Sequence, residues 1–270
     1  MTEARWRSAL FVPADRPELA AKAVAAQPDL VILDLEDAIP LAGKAGARAA
    51  LETAVAGVGG AMPVFVRVNP VSSGLFADDL AAVPGDAAGL VVPKFDATSQ
   101  LESLSRATSL PVIAGIETVR GVADARDLLA PPVVGCYFGA EDYVADLGGV
   151  RTDANGEVAV ARALVAMAAR LAGIPALDMV TIDLHDDHRF STEAHDARAL
   201  GYAGKLCIHP RQVSLANTAF LPSDAEVAWA TRLLAAFDDA RGATIAFEGQ
   251  MVDEVVAARA RAILRVAPAS

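Results

Sequence analysis

Two carboxylates stand at matching positions in the middle of the chain. Glu117 directly follows one apolar run, and Asp142 lies four residues beyond the next one. Carboxylates held close together repel each other, so they need a proton or a cation between them. A hard divalent ion such as Mg²⁺ prefers oxygen ligands and takes few of them from the protein. We therefore predict that Glu117 and Asp142 hold Mg²⁺, with ion pairs to Arg120 and Lys94 as the alternative.

The neighbour of Asp142 is a second acid, Glu141. Successive side chains on an extended strand point to opposite faces. If this segment continues the preceding strand and Asp142 points into the site, Glu141 should point away from it. We therefore expect Glu141 to play a supporting or structural part.

Arg67 ends the apolar run VFVR. A buried arginine is costly unless its charge is met by a partner. It could pair with Glu36 or Asp37, or it could bind a substrate carboxylate through two parallel hydrogen bonds. We favour the substrate role. The acids Asp34, Glu36 and Asp37 crowd one predicted strand end, and their individual roles cannot be separated from sequence.

Other polar groups have plainer explanations. Arg16 and Lys22 could bind a phosphate, but their spacing favours a solvated helix face. His209, before a proline, could be a base or a structural residue. Asp253 precedes an amphipathic segment, where helix capping is the ordinary role. The stretch DLHDDHRF is rich in Asp and His but lacks a ligand spacing typical of metal sites, which favours a polar loop.

The elements that must position these residues alternate along the chain. Eight strands are predicted at 8–13, 30–35, 64–68, 89–93, 111–116, 133–138, 178–183 and 203–208. Helices are predicted between them at 17–26, 44–55, 78–83, 99–107, 122–129, 158–172 and 192–200. This alternation indicates a parallel sheet, and eight units indicate a (β/α)8 TIM barrel of the α/β class. A doubly wound open sheet is the alternative. Neither a G-x-G-x-x-G nor a P-loop motif is present.

Charged side chains recur at or just after the predicted carboxyl ends of these strands. This is the end at which (β/α)8 barrels place their active sites. Residues 1–220 are therefore assigned to the barrel, and residues 221–270 to a C-terminal helical arm. The arm should begin with a helix capped by Ser223 or Asp224. It should pack on the barrel or on a neighbouring subunit.

The composition narrows the class of protein further. The 270 residues are 54% hydrophobic and carry a net charge of −11, without a basic run, which argues against nucleic-acid binding. The sequence has no long, uncharged apolar stretch of the kind that indicates a membrane span or a signal peptide. We expect a soluble cytoplasmic protein in which Cys136 and Cys207 are buried, reduced thiols.

Eight motifs in order resemble one family. They are SALFVPADRPELAAKA, VILDLEDAI, VRVNP, VVPK, IETVRG, FGAEDYVADLG, CIHPRQV and FEGQMVDEVVAARARAIL. Together they resemble the citrate lyase beta subunit-like (CitE-like) family, within the HpcH/HpaI aldolase, malyl-CoA and citramalyl-CoA lyase superfamily. The resemblance runs from about Arg7 to Leu264.

The resemblance implies a barrel with a C-terminal extension that forms a homotrimer or hexamer. It implies that Mg²⁺ is held by Glu117 and Asp142, and that Arg67 and Glu117 also contact the substrate. The positions matching Phe11, Arg16 and Lys22 would contact the coenzyme A (CoA) or acyl-carrier group. Asp253 would serve as the acid/base, which CoA-using relatives supply from an adjacent subunit.

The reaction that follows from this resemblance is a Mg²⁺-dependent carbon–carbon cleavage. A 3-hydroxyacyl-CoA of the malyl, methylmalyl or citramalyl type would give a 2-oxo acid and an acyl-CoA, or the reverse. The alternatives are the beta subunit of an acyl-carrier-dependent citrate lyase, a malyl-CoA thioesterase, and a noncatalytic metal-binding assembly subunit. The motifs leave the acyl substrate and its stereochemistry open.

Overall fold

A computed structural model of the chain describes residues 6–267 and contains a closed barrel. Each of the first seven strands pairs in parallel with the next, and the eighth pairs in parallel with the first. These strands are β1 (Ser8–Pro13), β2 (Leu30–Asp34), β3 (Val64–Arg67), β4 (Gly89–Val92), β5 (Val112–Ile116), β6 (Val133–Phe138), β7 (Ala176–Asp178) and β8 (Gly204–Cys207). The predicted (β/α)8 barrel is confirmed.

Helices connect the strands and continue beyond the barrel. They are α1 (Pro17–Ala26), α2 (Lys44–Val58), α3 (Phe76–Ala82), α4 (Thr98–Ala107), α5 (Val119–Leu128), α6 (Ala140–Leu147), α7 (Ala159–Ala172), α8 (Asp187–Leu200), α9 (Pro210–Ala219), α10 (Asp224–Asp239) and α11 (Glu254–Val266). Short 3-10 turns at Leu41–Gly43 and Gly156–Val158 precede α2 and α7. None of the helices in residues 6–267 is long and apolar enough to cross a membrane.

Several elements differ from the sequence prediction, among them helix α9, which was not predicted. The seventh strand ends at Asp178, whereas the prediction began there and ran to residue 183. The apolar residues after Asp178 misled the prediction, because Val180 and Ile182 lie in a loop and line a cavity. Helix α6 was not predicted. Its first turn carries two acids, which the partial positive charge of a helix N-terminus favours, and it ends at Gly148 in the left-handed conformation.

The interior of the barrel is filled by inward-facing side chains from all eight strands. A helix-covered parallel sheet is apolar on both faces, which explains the continuous apolar runs in the sequence. The central cluster consists of Ala9, Leu30, Ile32, Phe65, Val91, Ile113, Tyr137, Leu177 and Leu206. Cys136 and Cys207 are buried free thiols, and each is next in sequence to a residue of this cluster. Burial raises the pKa of each thiol to about 12.

A buried ionic network joins the seventh and eighth strands to the helices outside them. Asp178 accepts two hydrogen bonds from Arg162, both 2.9 Å, and one from the Lys205 ammonium at 3.2 Å. The same ammonium lies 3.3 Å from Glu193. Asp178 and Lys205 are fully buried. Because buried charges need partners, these residues depend on one another.

The residues from Ala219 onward form a second unit. It contains α10, an antiparallel hairpin of β9 (Ile245–Phe247) and β10 (Gln250–Val252), and α11. Its own small core contains Ala230, Leu233, Phe237, Val252, Ala257 and Ala260. Ser223 caps α10 in a reciprocal pair with Glu226. This capping box fixes the residue at which α10 begins.

The buried network gives a stability prediction. Replacing Asp178 with alanine leaves Arg162 buried without its acid partner and removes one of the two acids that contact Lys205. We expect the free energy of unfolding to fall by about 3–5 kcal/mol, measured by urea denaturation. Glu102→Ala is the control, because Glu102 pairs with Arg106 at 2.8 Å on an exposed helix face. It should cost no more than about 1 kcal/mol, and equal losses in both variants would contradict the account.

Candidate active site

A cavity of about 380 Å³ opens at the carboxyl ends of the barrel strands. This is the end at which catalytic residues gather in this fold. The lining comes from most of the barrel strands and the loops after them, and consists of Phe11, Pro13, Asp34, Asp37, Ala38, Arg67, Glu117, Tyr137, Gly139, Ala140, Glu141, Asp142, Val180, Ile182, Leu206 and Ile208. The predicted acids Glu117 and Asp142 therefore share one cavity with Arg67.

Glu117 is held rigidly at the base of this cavity. It follows β5 directly, and only 2% of it is exposed. The backbone N–H of Lys94 donates a 2.8 Å hydrogen bond to its Oε1. On the other side, a Cβ at Gly139 would lie 2.5 Å from both Cβ and Oε2 of Glu117. Only glycine leaves room for the carboxylate there.

The surroundings of Glu117 disfavour its charge. Burial raises the pKa of Glu117 to about 7, and the negative charges of Glu36 and Asp142 act in the same direction. The Tyr137 hydroxyl and the Lys94 N–H oppose this shift. The site therefore carries an excess of negative charge that a cation would relieve.

Asp142 and Glu141 both lie in the first turn of α6. The expectation that Glu141 points away rested on an extended strand, and it is wrong. In a helix, successive side chains diverge by about 100° rather than 180°, and both acids line the cavity. Glu141 accepts a 2.9 Å hydrogen bond from Arg151, which leaves Asp142 as the acid of this pair nearer Lys94.

Arg67 is fixed by acids at the end of β2 and in the loop after it. Two parallel hydrogen bonds, of 2.7 and 2.6 Å, join its guanidinium to Asp34. Its Nη1 lies 3.1 Å from Glu36 and 3.5 Å from Asp37, so the pairing alternative is present in the structure. Burial lowers the pKa of Arg67, but the bonds to Asp34 outweigh it and the pKa is raised. The Phe11 ring packs 4.6 Å below the guanidinium.

The loop after β2 is held by a second set of bonds. Asp34 also accepts from the backbone N–H of Glu36 at 2.8 Å and of Ala38 at 3.0 Å. From α2, the Lys44 ammonium donates to the carbonyl oxygens of Leu35 and Glu36, at 2.5 and 2.6 Å. The backbone that carries Glu36 and Asp37 is therefore fixed before any ligand arrives.

Lys94 was predicted only as a possible ion-pair partner, and the structure gives it a central place. Its ammonium lies 3.0 Å from Glu36 and 3.6 Å from Asp142. Burial lowers the pKa of Lys94, but the hydrogen bond to Glu36 and the surrounding acids outweigh it, and the pKa is raised. The amine is thus held as an ammonium. A Schiff-base role needs a neutral amine and is disfavoured here.

Tyr137 was not singled out from sequence, because it sits inside an apolar run. Its ring crosses Gly115 on the adjacent strand, where a Cβ would lie 2.4 Å from the hydroxyl oxygen. The hydroxyl is buried near Glu117, yet it forms no hydrogen bond of good geometry within residues 6–267. Burial and the charge of Glu117 raise the pKa of Tyr137 well above its ordinary value.

The remaining candidate residues lie in several places. Phe11 lines the cavity from β1, whereas Arg16 and Lys22 are exposed at and within α1, outside the cavity lining. Asp253 caps α11 in the second unit, accepting from the N–H groups of Val255 and Val256. His209 is exposed, and its Nδ1 accepts from the Arg211 N–H. Within residues 6–267, no group of three or more His, Cys, Asp or Glu forms a ready metal cluster.

The raised pKa of Glu117 predicts how stability depends on pH. Folding shifts this pKa from 4.5 to about 7, so the folded state holds the proton more tightly. Its stabilising contribution is complete below pH 4.5 and is lost as the pH rises to about 7. Glu117→Gln mimics the protonated group. In EDTA, it should raise the free energy of unfolding at pH 8 by about 3 kcal/mol, with little change at pH 4.5.

Chemical denaturation at the two pH values checks this prediction. Glu52→Gln is the control, because Glu52 is exposed on α2 outside the cavity lining. It should change the free energy of unfolding by less than about 0.5 kcal/mol at either pH. A Glu117→Gln variant that is no more stable than the natural chain at pH 8 would contradict the raised pKa of Glu117 and its assignment to burial and neighbouring acids.

Sequence relatives cover almost the whole chain. A "Citrate lyase subunit beta-like protein" of Deinococcus radiodurans is 46% identical over 273 residues, which cover 96% of each chain. A "(3S)-malyl-CoA thioesterase" of Cereibacter sphaeroides is 32% identical over 271 residues, covering 98% of this chain and 95% of the relative.

Solved structures agree with this relationship. Protein CitE of Mycobacterium tuberculosis, in complex with magnesium, acetoacetate and coenzyme A, superposes with a TM-score of 0.87 at 39% identity and covers 98% of each chain. The citrate lyase beta subunit of the same organism, complexed with oxaloacetate and magnesium, gives 0.72 at 37% identity, covering 81% of this chain and 98% of that one. Residues 7–210 match the HpcH/HpaI aldolase/citrate lyase family. The chain belongs to this family.

Proposed function

We propose that this protein is a Mg²⁺-dependent carbon–carbon lyase acting on a 3-hydroxyacyl-CoA of the malyl, methylmalyl or citramalyl type. The products are a 2-oxo acid and an acyl-CoA, and the reverse condensation uses the same site. The observation that carries the proposal is the single cavity that Glu117, Asp142 and Arg67 line. The cavity joins acids suited to a metal with a cation suited to a carboxylate.

The residues present fit Mg²⁺. Glu117 and Asp142 offer carboxylate oxygens, and Mg²⁺ is commonly held by one or two such groups. Burial, together with the negative charges of Glu36 and Asp142, raises the pKa of Glu117, and a bound cation would offset all three effects. Related proteins were crystallised with magnesium. When bound, Mg²⁺ would stabilise the negative charge that develops on the substrate hydroxyl oxygen during cleavage.

Two features of the cavity suit a carboxylate ligand. Asp34 holds Arg67 in a fixed plane, which orients the remaining guanidinium N–H groups without loss of side-chain freedom on binding. The N-terminus of α6 also borders the cavity through Gly139 and Ala140. The first N–H groups of a helix lack intrahelical partners and favour anions. We assign the 2-oxo acid portion of the substrate to this side of the cavity.

We assign the CoA portion to Phe11, Arg16 and Lys22. Arg16 and Lys22 are exposed cations on and before α1, and exposed cations are suited to phosphate groups. Phe11 borders the cavity itself and could contact the thioester end. A related CitE protein binds coenzyme A together with magnesium, which supports a CoA thioester as the substrate class.

The proposed cleavage involves two proton transfers, one from the substrate hydroxyl and one to the carbon released as an enolate. A base takes the proton of the substrate hydroxyl, and the carbon–carbon bond breaks to release the 2-oxo acid. The electron pair of that bond remains on the acyl thioester as its enolate. Asp253 then donates a proton to the enolate carbon, and in the condensation direction it removes that proton. Arg67 holds the carboxylate of the reacting portion throughout.

The closest alternative is hydrolysis of the thioester. A malyl-CoA thioesterase is 32% identical to this chain over nearly its full length, so the same site could release free CoA. A carrier-dependent citrate lyase beta subunit would need an acyl-carrier partner. A noncatalytic metal-binding assembly subunit is the non-enzyme alternative. We expect the protein to form a homotrimer or hexamer, as its resemblance to the family implies.

A product assay separates these functions. The purified protein is incubated with Mg²⁺ and malyl-, methylmalyl-, citramalyl- or citryl-CoA, and the 2-oxo acid and free CoA are measured separately. Oxo-acid release without free CoA is the result that the proposal predicts. Free CoA alone would indicate a thioesterase. If no product forms from any substrate, whether or not EDTA is present, the proposed lyase function is overturned.

The role of Asp253 has a direct test. Asparagine caps helices as well as aspartate does, but it cannot exchange a proton at neutral pH. We expect Asp253→Asn to lower kcat by at least about 100-fold, with Mg²⁺ and 2-oxo acid binding unchanged by calorimetry. Ser223→Asn, a cap replacement on α10, is the matched control and should retain turnover. Normal turnover in Asp253→Asn would remove Asp253 from the mechanism.

A further inference from the structure

Lys94 has an unusual backbone for its type. It follows β4 with a φ of 50°, in the left-handed region that residues other than glycine seldom occupy. Such conformations cost free energy and persist where the surrounding structure imposes them. Here the backbone N–H donates the 2.8 Å hydrogen bond to Oε1 of Glu117. The unfavourable conformation is thus coupled to the position of one proposed metal ligand.

The side chain of Lys94 meets two further acids. Its ammonium donates a 3.0 Å hydrogen bond to Oε1 of Glu36, which is 6% exposed. It also lies 3.6 Å from Oδ1 of Asp142, the second proposed metal ligand. One residue therefore contacts both predicted ligands, through its backbone in one case and through its charge in the other.

The ammonium stands where it would conflict with a bound metal ion. Mg²⁺ binds carboxylate oxygens at 2.0–2.1 Å, so an ion on Asp142 would lie close to an ammonium 3.6 Å from the same carboxylate. Like charges at such separations repel strongly in a partly buried site. The contact with Asp142 is the longer of the two, so it is the one that a bound ion would replace, while the 3.0 Å bond to Glu36 would be kept.

We propose that Lys94 is a positioning residue of the metal site with two opposed effects. Its N–H orients Glu117 for the metal, and its ammonium pairs with Asp142 until the metal displaces it. The ammonium therefore stabilises the metal-free protein and weakens Mg²⁺ binding. This inference rests on the proposed metal site at Glu117 and Asp142, and it adds a residue that determines how readily the site is loaded.

The test compares Mg²⁺ binding in the full chain without substrate. Lys94→Met keeps the backbone N–H and the length of the side chain but removes the charge. Titration with MgCl2 by isothermal calorimetry should give a Kd about tenfold lower than that of the natural chain. In EDTA, the variant should also have a lower Tm, because Glu36 loses an ion-pair partner. Lys94→Gln is the second variant if Lys94→Met does not fold.

Two controls separate this effect from general changes. Lys94→Arg retains the charge and should keep a Kd within about threefold of the natural value. Arg106→Met removes one charge from an exposed position on α4 and should leave the Kd unchanged. An unchanged or higher Kd in both neutral Lys94 variants would overturn this inference alone. Absence of Mg²⁺ binding by the natural chain would overturn the proposed metal site and this inference with it.

Discussion

The structure of the site depends on the crowding of negative charge at one end of the barrel. Two cations lie there among four acids, which come from the ends of β2 and β5 or the residues just after them, and from the first turn of α6. The acids are Asp34, Glu36, Glu117 and Asp142. Arg67 and Lys94 meet part of this charge and fix the geometry of the acids. Burial, with the remaining negative charges of Glu36 and Asp142, raises the pKa of Glu117. A divalent ion would relieve this crowding, which links the fold directly to the proposed chemistry.

The barrel makes such crowding possible. Parallel strands deliver their carboxyl ends to one face, so acids far apart in sequence are brought together. Glycines give them space, since Gly139 leaves room for Glu117 and Gly115 leaves room for the Tyr137 ring. On the adjoining side of the barrel, the buried pairs of Asp178 with Arg162 and Lys205 hold the last strands in place. The free energy of folding thus holds charged groups in an arrangement that they would not adopt alone.

The sequence was sufficient for the fold and for the general location of the site. Apolar runs and the charges near their ends predicted the barrel and placed Glu117, Asp142 and Arg67 at the same end. It was insufficient for the point at which β6 gives way to α6, and for contacts between residues on different strands. The first turn of α6 was read as a continuing strand because its acids follow an apolar run. Lys94 was expected only as an ion-pair alternative, and its shorter contact with Glu36 was not foreseen. Tyr137 gains its importance from neighbours on other strands, which no spacing within the chain reveals.

The measurement that tests the central claim most directly is a crystal structure of the protein grown with Mn²⁺ and oxaloacetate. Manganese replaces magnesium at oxygen sites and can be located by its anomalous scattering. The account predicts one strong peak bonded to carboxylate oxygens of Glu117 and Asp142, with the ammonium of Lys94 moved away from Asp142 and the oxo acid beside Arg67. A peak at other residues, or an empty cavity with Lys94 still paired to Asp142, would contradict it.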